Sequence, residues 1–379
     1  MKRDLRPAWC WLIPTLVVSC VSTPASLDVE DNEKRQKPLF QSTAVKTKPT
    51  LDPYRPLKSM QRSDGSKAPW MKTPTLWLWT LDVNQGSAMV LLTPSRKHMV
   101  IVDTGPDKTG VKAILPFIDS LKSQSRGGPK QLDMLILTHY DADHIGGADE
   151  VLKEIRTLEV FDHGDYEVWS KRRHLNAYRS VQKSQPMKPG FKRSIDGVTI
   201  ECVASNNTTI FDQSKRYPNK RNDNPNSIAL VISYGDFSLY VAGDQTGSTE
   251  EPMIGNLDPV DLFIVNHHGS SSKGSNSRQF LEMLKPKIAI ASMGKHKGYK
   301  HPKPAPLNVL SDIGTQVFFT NRNEHSAYQQ TEDTVGDWEP KGYDGHIGIE
   351  VPSDANCGKV HVGIRRPFAA AHTSYKFCF

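Results

Sequence analysis

The chain has 379 residues, enough for one large domain or two ordinary ones. Hydrophobic residues make up 37% and charged residues 23% of it, which indicates a soluble globular protein with additional polar segments and excludes a membrane channel. The formal net charge of +7 and the pI near 9.0 favour anionic partners such as nucleic acid, phospholipid or cell-wall polymer, although a solvated basic surface also occurs without any such partner.

The N-terminus predicts export. Residues 1–20 carry a basic head followed by an apolar stretch that is too short for a membrane-spanning helix, which is typical of a secretory signal peptide. The run Val-Val-Ser-Cys ending at Cys20 resembles the lipobox of bacterial lipoproteins and implies lipidation of Cys20, with peripheral attachment to a membrane. Ordinary cleavage near Ala25 is the alternative. Either route predicts a protein of the cell envelope or a secreted protein.

The remaining chain divides by composition. Residues 21–72 are rich in Ser, Thr, Pro, Lys and Gln and lack apolar periodicity, which predicts a disordered tether. We expect a folded body over residues 73–352 and a C-terminal strand and tail over residues 353–379. A closing hairpin is expected from two strand-like runs at 346–351 and 359–364.

The folded body opens with three strand-like runs, Thr75–Val83, Ser87–Thr93 and Met99–Asp103. Short turns join them, so they predict an antiparallel meander. Apolar residues then recur at helical spacing from Val111 to Leu121, which predicts a helix that ends before Gly127.

The next segment is the richest in chemistry. Met134 to Leu137 has the length and composition of a buried strand. The turn after it contains four potential metal ligands: His139, Asp141, Asp143 and His144. Gly146 and Gly147 close the turn and permit a tight backbone. A cluster of imidazoles and carboxylates directly after a strand predicts a metal site.

This turn resembles the His-x-His-x-Asp-His signature of the metallo-β-lactamase superfamily, with Asp141 in place of the second His. The variant with Asp resembles the extracytoplasmic hydrolase domain of bacterial competence (DNA-uptake) proteins. The resemblance implies an α/β fold, the four-layer αββα sandwich, with metal ions at the edge of its two sheets. It also implies that Asp103, in Val-Asp-Thr-Gly, lies behind the ligands and orients their loop. A turn-capping role is the alternative for Asp103.

Further motifs follow in the order of the family. Gly243-Asp244 ends a strand and implies that Asp244 bridges two metals. The pair His267 and His268 implies one more ligand. Strand alternation would send the two rings to opposite faces, and the sequence leaves open which of them binds. The resemblance further implies substrate binding by Asn226 and Ser270, and catalysis by Asp143 and by His301 as proton donor.

Two features remain ambiguous. His163, at the end of a predicted strand, is either a further ligand or a surface turn residue. The segment from Lys171 to Arg193 is strongly basic with interleaved aromatic residues, and Lys215, Arg216, Lys220 and Arg221 add charge. Such a pattern is typical both of a single-stranded nucleic-acid groove and of a solvated helix.

Three cysteines lie beyond the signal peptide, with no Cys-x-x-Cys pair that would indicate a zinc knuckle. In an oxidising compartment Cys357 and Cys378 could pair and fix the C-terminal tail, which would leave Cys202 buried in a strand.

Taken with the resemblance, these residues predict an exported metal-dependent hydrolase, a phosphodiesterase or nuclease whose nucleophile is hydroxide bound between two divalent ions. The ions are expected to be zinc or manganese, because Asp141 adds a hard oxygen donor that also accepts manganese or iron. The expected partner is an anionic phosphodiester such as nucleic acid, and no protein partner is predicted. The alternatives are a choline-phosphate esterase, a lactonase-type hydrolase, or a non-catalytic, lipid-anchored protein that binds polyanions.

Overall fold

The computed structural model describes residues 73–124, 128–166, 172–181, 183–214, 222–321, 341–342, 345–354, 356–365, 367–368, 371 and 373–379. The predicted signal peptide with Cys20, the tether 21–72 and the cations at 215–221 lie outside the described residues. Within the described residues, no helix has the length and apolar character needed to cross a membrane.

The described residues form eighteen strands and seven α-helices. The strands are β1 (Thr75–Thr80), β2 (Met89–Leu92), β3 (Met99–Val102), β4 (Leu132–Ile136), β5 (Thr157–Asp162), β6 (Gln185–Pro186), β7 (Lys192–Ile195), β8 (Val198–Ser205), β9 (Thr208–Thr209), β10 (Ala229–Tyr234), β11 (Phe237–Val241), β12 (Leu262–Ile264), β13 (Ile288–Ala291), β14 (Gln316–Phe319), β15 (Lys341–Gly342), β16 (His346–Pro352), β17 (Cys357–Ile364) and β18 (Thr373–Cys378). The helices are α1 (Asp107–Gln124), α2 (Ala142–Ile145), α3 (Ala148–Glu154), α4 (Arg172–Val181), α5 (Gly247–Glu250), α6 (Arg278–Leu284) and α7 (Pro304–Asp312).

The strands make two sheets. The first has the order β18-β17-β16-β1-β2-β3-β4-β5-β6, and the second has the order β15-β14-β13-β12-β11-β10-β8-β7, with β9 paired to β8. The predicted meander of β1 to β3 and the hairpin of β10 and β11 are antiparallel, whereas β3 to β5 and β11 to β14 run parallel. The closing hairpin of β16 and β17 is also confirmed.

Three apolar clusters define four layers. The first cluster joins the facing sides of the two sheets and contains Leu78 and Ile136 from one sheet with Leu239 and Ile264 from the other. A second cluster packs α1 and α3 on the outer face of the first sheet. A third packs α6 and α7 on the outer face of the second. Both sheets are therefore covered on both faces, which explains why β1 to β3 are buried at every residue. The predicted αββα sandwich is confirmed.

The C-terminal strands extend the first sheet. Cys357 and Cys378 are paired across β17 and β18 and form a disulfide, as expected. Cys202 is a buried free thiol in β8, also as expected.

The basic segment is more structured than its charge suggests. Residues 192–195 and 198–205, within and just after it, form the antiparallel strands β7 and β8. Arg193 pairs with Glu159 at 2.9 Å and Lys192 pairs with Glu201 at 2.9 Å. The described part of this segment therefore consists largely of structural elements: α4 packs on the outer face of the first sheet, β6 is the edge strand of that sheet, and β7 is the edge strand of the second.

A buried carboxylate fixes the loop that follows β12. Glu250 Oε1 accepts hydrogen bonds from Asn266 Nδ2 at 2.8 Å and from the Asn276 backbone nitrogen at 2.9 Å, and Oε2 accepts one from the Ser277 nitrogen at 3.2 Å. Burial, which outweighs these hydrogen bonds, raises the pKa of Glu250 to about 7. Glu250 thus clamps both ends of the loop that carries His267 and His268.

We expect Glu250→Gln to change how stability depends on pH. The folded-state pKa of about 7 lies above that of a glutamate in an unfolded chain, so the contribution of Glu250 is complete below the unfolded pKa and is lost as pH rises through 7. Between pH 5 and pH 8 the unfolding free energy of the wild type should fall by about 2–3 kcal/mol relative to Glu250→Gln. Urea denaturation of the chelator-treated proteins measures this.

Glu282→Gln is the matched control, because Glu282 is exposed and pairs with Arg278 on the surface of α6. Its difference from the wild type should stay constant over the same pH range. A constant difference for Glu250→Gln as well would show that Glu250 is not held neutral by burial.

Candidate metal centre

The predicted site residues come together at the carboxyl ends of strands from both sheets. Asp103 follows β3, the turn from His139 to His144 follows β4, Asp244 follows β11, and His267 and His268 follow β12. Ligand sites in α/β folds commonly lie where parallel strands end, because several loops converge there.

Two groups of side chains have the geometry of a metal site. His139, His144 and Asp244 form one group, and Asp143, His144 and His268 form the other. Within each group the potential ligand atoms all lie within 4.8 Å of one another. The described residues therefore contain candidate His/Asp metal sites, as the sequence predicted.

The two oxygens of Asp244 face different pairs of imidazoles. Oδ1 lies 3.0 Å from His144 Nε2 and 3.4 Å from His268 Nε2. Oδ2 lies 3.6 Å from His267 Nε2 and 3.9 Å from His139 Nε2. This is the geometry expected of a carboxylate between two ions.

Asp103 fixes two of the imidazoles from behind. Its Oδ2 accepts hydrogen bonds from His144 Nδ1 at 2.7 Å and from Thr138 Oγ1 at 2.8 Å, and Oδ1 accepts one from the Thr138 nitrogen. Because Thr138 Oγ1 donates to Asp103, it accepts from His139 Nδ1 at 3.1 Å. Both rings therefore turn Nε2 toward Asp244, the tautomer that a metal ligand needs.

The other two imidazoles are held in the same way. His268 Nδ1 donates to the Ser292 carbonyl at 2.6 Å, and His267 Nδ1 donates to Ser275 Oγ at 3.3 Å. The alternation expected for this pair is wrong, because both residues lie in a turn after β12 with positive φ of 51° and 53°. Consecutive left-handed residues turn both rings toward Asp244, whereas an extended strand would separate them.

The charges of the site match a requirement for cations. Burial alone would lower the pKa of His144, but the negative charges of Asp244 and Asp103 outweigh it and hold this pKa well above its usual value. The pKa of His268 is raised against burial in the same way, first by Asp244 and then by Asp143. The buried carboxylates therefore attract either protons onto these rings or metal ions in their place.

The remaining ligand-turn carboxylates sit at the opening of the site. The side chains of Asp141 and Asp143 are 23% and 24% exposed, with Asp141 Oδ2 3.8 Å from His139 Nε2 and Asp143 Oδ2 3.3 Å from His268 Nε2. Burial would raise the pKa of Asp143, but the hydrogen bond from His268 and the charge of His144 hold it below its usual range. Asp143 is thus an ionised carboxylate on the solvent-accessible side of the cluster.

One glycine is required at the site. Gly243 precedes Asp244, has a φ of +52°, and lies so close to the Thr138 hydroxyl that any side chain would collide with it. This contact brings the strand that carries Asp244 against the strand that carries His139.

His163 and Asn226 belong to a buried network beside the ligand turn. His163 Nε2 lies 3.2 Å from Asp223 Oδ2, which also accepts from the Tyr140 nitrogen at 2.6 Å. Asn226 Nδ2 donates to Asp223 Oδ1 at 2.9 Å. His163 is therefore neither in the two candidate clusters nor a surface residue, and the Asn226 side chain supports the turn through Asp223.

A cavity of about 230 Å³ lies over the cluster. Its lining consists of Gln85, Asp141, Asp143, Asn222, Asn224, Asp244, His267, His268, Lys273, Tyr299 and His301. Ser270 and Asn226, predicted to bind substrate, do not line it. Ser270 is buried, and its hydroxyl bonds Ser272.

The sequence reasoning missed three amides that line the cavity, those of Gln85, Asn222 and Asn224. Asn224 Nδ2 lies 3.2 Å from His267 Nε2 and 3.4 Å from Asp244 Oδ2. Both side-chain polar atoms of Gln85 are buried without a hydrogen-bond partner among the described residues. The run Asn222-Asp-Asn224 before β10 was the available signal.

His301 lines the cavity and is largely buried. Burial, and then the positive charges of His268 and His267, lower its pKa to about 3. The ring is therefore neutral at pH 7 in the substrate-free protein, and a nearby substrate anion would raise this pKa.

The sequence matches the family model described as "Metallo-beta-lactamase superfamily" over residues 81–293. It is 30% identical over 274 residues to ComE operon protein 3 of Bacillus subtilis (strain 168), covering 66% of this chain and 32% of that protein. It is 28% identical over 250 residues to competence protein ComA of Neisseria gonorrhoeae, covering 65% and 30%. It is 27% identical over 233 residues to recombination protein 2 of Haemophilus influenzae, covering 61% and 26%.

This chain thus spans a third or less of the length of these relatives. The family match covers more than half of this chain, from the end of β1 to just beyond β13, and includes every residue of the two candidate clusters. The chain belongs to the metallo-β-lactamase superfamily of metal-dependent hydrolases.

Proposed function

We propose that the protein is an exported phosphodiesterase that uses two divalent ions, zinc or manganese. The observation that carries this proposal is Asp244, whose two oxygens face two separate imidazole pairs at the base of an open cavity. The ligand sets would be His139, Asp141 and His267 on the Oδ2 side, and Asp143, His144 and His268 on the Oδ1 side. The ions would supply Lewis acidity and lower the pKa of water.

The cavity walls favour an anionic substrate. Lys273 lies at the mouth of the cavity, and the amide groups of Gln85 and Asn222 lie along its lining. These groups can donate hydrogen bonds to the non-bridging oxygens of a phosphodiester. Three carboxylates and a hydroxide would neutralise two divalent ions, so a substrate anion needs such additional donors.

His301 is suited to the leaving oxygen. Its ring lines the cavity, 5.8 Å from that of His267 and 6.4 Å from that of His268. We assign it the transfer of a proton to the departing alkoxide, whereas an acidic leaving group departs as its anion and needs no proton.

The alternatives predict different surroundings. A choline-phosphate esterase needs several aromatic faces around a quaternary ammonium group, whereas Tyr299 is the one phenol or indole ring in the cavity lining described here. A lactone is uncharged, so the positive charge of Lys273 at the cavity mouth would not attract it. A non-catalytic polyanion-binding protein would keep its affinity in the presence of a chelator and would show no turnover.

We expect the purified protein to bind two divalent ions per chain and to hydrolyse bis-(p-nitrophenyl) phosphate and plasmid DNA. Asp143→Asn removes a ligand charge and should lower turnover by about 100-fold or more. Elemental analysis and initial rates measure the two effects. Activity that persists in excess chelator, or a chain that binds no divalent ion, would refute the proposal.

Asp149→Asn is the matched control. Asp149 is a carboxylate on α3 that pairs with Lys153 at 2.8 Å and does not line the cavity. It should keep both ions and the turnover of the wild type.

The role of His301 is tested by the leaving group. With His301→Ala we expect turnover of a diester with an alkyl leaving group to fall by about 10²–10⁴-fold. Turnover of bis-(p-nitrophenyl) phosphate should fall much less, because p-nitrophenolate leaves without a proton. Metal content should not change. Equal losses for both substrates would show that His301 does not donate the proton.

A further inference from the structure

One loop at the cavity mouth offers a surface outside the cavity that could contact parts of a substrate beyond the phosphodiester group. The rim loop, residues 294–303, reads Gly-Lys-His-Lys-Gly-Tyr-Lys-His-Pro-Lys. At its start the Lys295 nitrogen donates to Asn84 Oδ1 at 2.9 Å, and at its end the Lys303 nitrogen donates to the Gly269 carbonyl at 2.8 Å. Both ends are fixed to segments adjoining the metal site, so the loop has a defined place on the rim.

The rim loop presents an aromatic surface. Tyr299 lines the cavity mouth and is 53% exposed, among the few large apolar side chains that are exposed in the described chain. Its ring stacks on His296 with centroids 4.0 Å apart and lies nearly parallel to His301 at 5.7 Å. A supported, exposed ring is the element on which an unpaired nucleobase stacks.

Unpaired cations surround this ring. Lys295, Lys297 and Lys300 on the rim loop and Lys273 across the cavity mouth are exposed, and none forms an ion pair with another described residue. Lys273 and Lys300 also have φ of 54° and 53°, a backbone conformation that favours glycine. Glycine is therefore a suitable replacement for either lysine where its charge is to be removed.

The described part of the basic segment before β8 has fewer unpaired cations and exposed aromatic rings available to a nucleic acid than the rim loop has. Its Lys192 and Arg193 are paired with glutamates, and Arg179 lies over the Tyr166 ring at 4.0 Å. Tyr178, one of the aromatic residues within this segment, is fully buried. Lys183 and Lys188 remain exposed, but neither they nor their sequence neighbours line the cavity, whereas Lys300 lies between Tyr299 and His301, which do.

The cavity is large enough for the reacting phosphodiester group but not for the rest of a polymeric substrate. At about 230 Å³ it is smaller than the roughly 300–1,000 Å³ that enclose a drug-sized ligand. A phosphodiester group fits, whereas the bases and flanking phosphates of a polymer must lie outside on the rim.

We infer that the rim loop and Lys273 form a binding site for single-stranded nucleic acid, with a base stacked on Tyr299 and flanking phosphates on Lys273, Lys300 and their neighbours. The inference rests on the proposed function for the phosphate at the metal centre. Binding to the rim itself requires only the described side chains.

The test is binding of a fluorescent 20-nucleotide oligothymidylate in excess chelator, followed by anisotropy over a range of salt concentrations. Lys273→Gly/Lys300→Gly removes two charges and leaves a residue that favours the observed backbone, so the fold should be retained. We expect at least about tenfold weaker binding and a salt slope reduced by about 1.4, since each phosphate contact on a single strand contributes about 0.7.

Lys188→Ala/Lys285→Gly is the matched control. It removes two charges, one of them at a left-handed residue, since Lys285 has a φ of 40° at the end of α6. Lys285 precedes β13 and lies at the opposite end of the parallel strands from the site. The control should bind as the wild type does. The inference would be overturned if the control bound the oligomer more weakly than the wild type while the rim variant bound it as tightly as the wild type.

Stacking is tested separately. Tyr299→Ala should weaken oligothymidylate binding by roughly 5- to 100-fold, whereas Tyr299→Phe should retain it. Neither change should affect an abasic oligomer of equal length. Equal affinity of the wild type for the two oligomers would overturn the nucleic-acid assignment, and competition by phosphatidylglycerol vesicles in that case would assign the rim to a membrane surface.

The rim binding site and the proposed phosphodiesterase activity can be refuted independently. Rim-dependent binding without metal-dependent cleavage would refute the phosphodiesterase and leave the rim site. Cleavage of DNA with binding indifferent to Lys273, Lys300 and Tyr299 would leave the enzyme and refute the rim site.

Discussion

The candidate centre depends on the fixing of imidazoles through their Nδ1 atoms. Asp103 holds His144 directly and His139 through the Thr138 hydroxyl, so that one buried carboxylate sets two tautomers. With Nδ1 occupied, each ring directs Nε2 at Asp244. Such ordering is completed in the folded protein before any ion binds, which lowers the cost of assembling the site.

The two sheets each supply half of this arrangement. The turn after β4 in the first sheet carries His139 to His144, while Asp244 and the pair at 267 and 268 follow strands of the second sheet. The apolar cluster between the sheets therefore sets the distances between ligands. Because interiors are close-packed, a change of volume between the sheets would shift one half of the ligand set against the other.

Local sequence predicted what local structure determines. The ligand turn, Asp103 and Asp244 each follow a strand whose apolar composition marks its end, and the structure brings them together. The prediction that the rings of His267 and His268 point to opposite faces was wrong, because alternation applies to extended backbone and these residues are left-handed.

Long-range contacts lay beyond the sequence. Asn226 turns to Asp223 and away from the cavity, while Gln85 and Asn224 line it. An amide gives no signal in the sequence of the direction it faces: the Asn226 side chain pairs with Asp223 three residues earlier, whereas that of Asn224 meets His267 from a distant part of the chain.

The basic residues show most clearly that a sequence does not reveal which side chains are paired in the fold. The segment from Lys171 to Arg193 has the denser run of cations, yet Glu159 and Glu201 from other strands neutralise two of them. The sparser lysines near the cavity form no ion pair with any carboxylate in the described part of the chain. A lysine attracts a polyanion only to the extent that the fold leaves its charge uncompensated, and on the proposed function that attraction serves a substrate only beside the metal centre. The rim loop meets both conditions, because its two fixed ends hold the uncompensated lysine charges at a constant distance from Asp244.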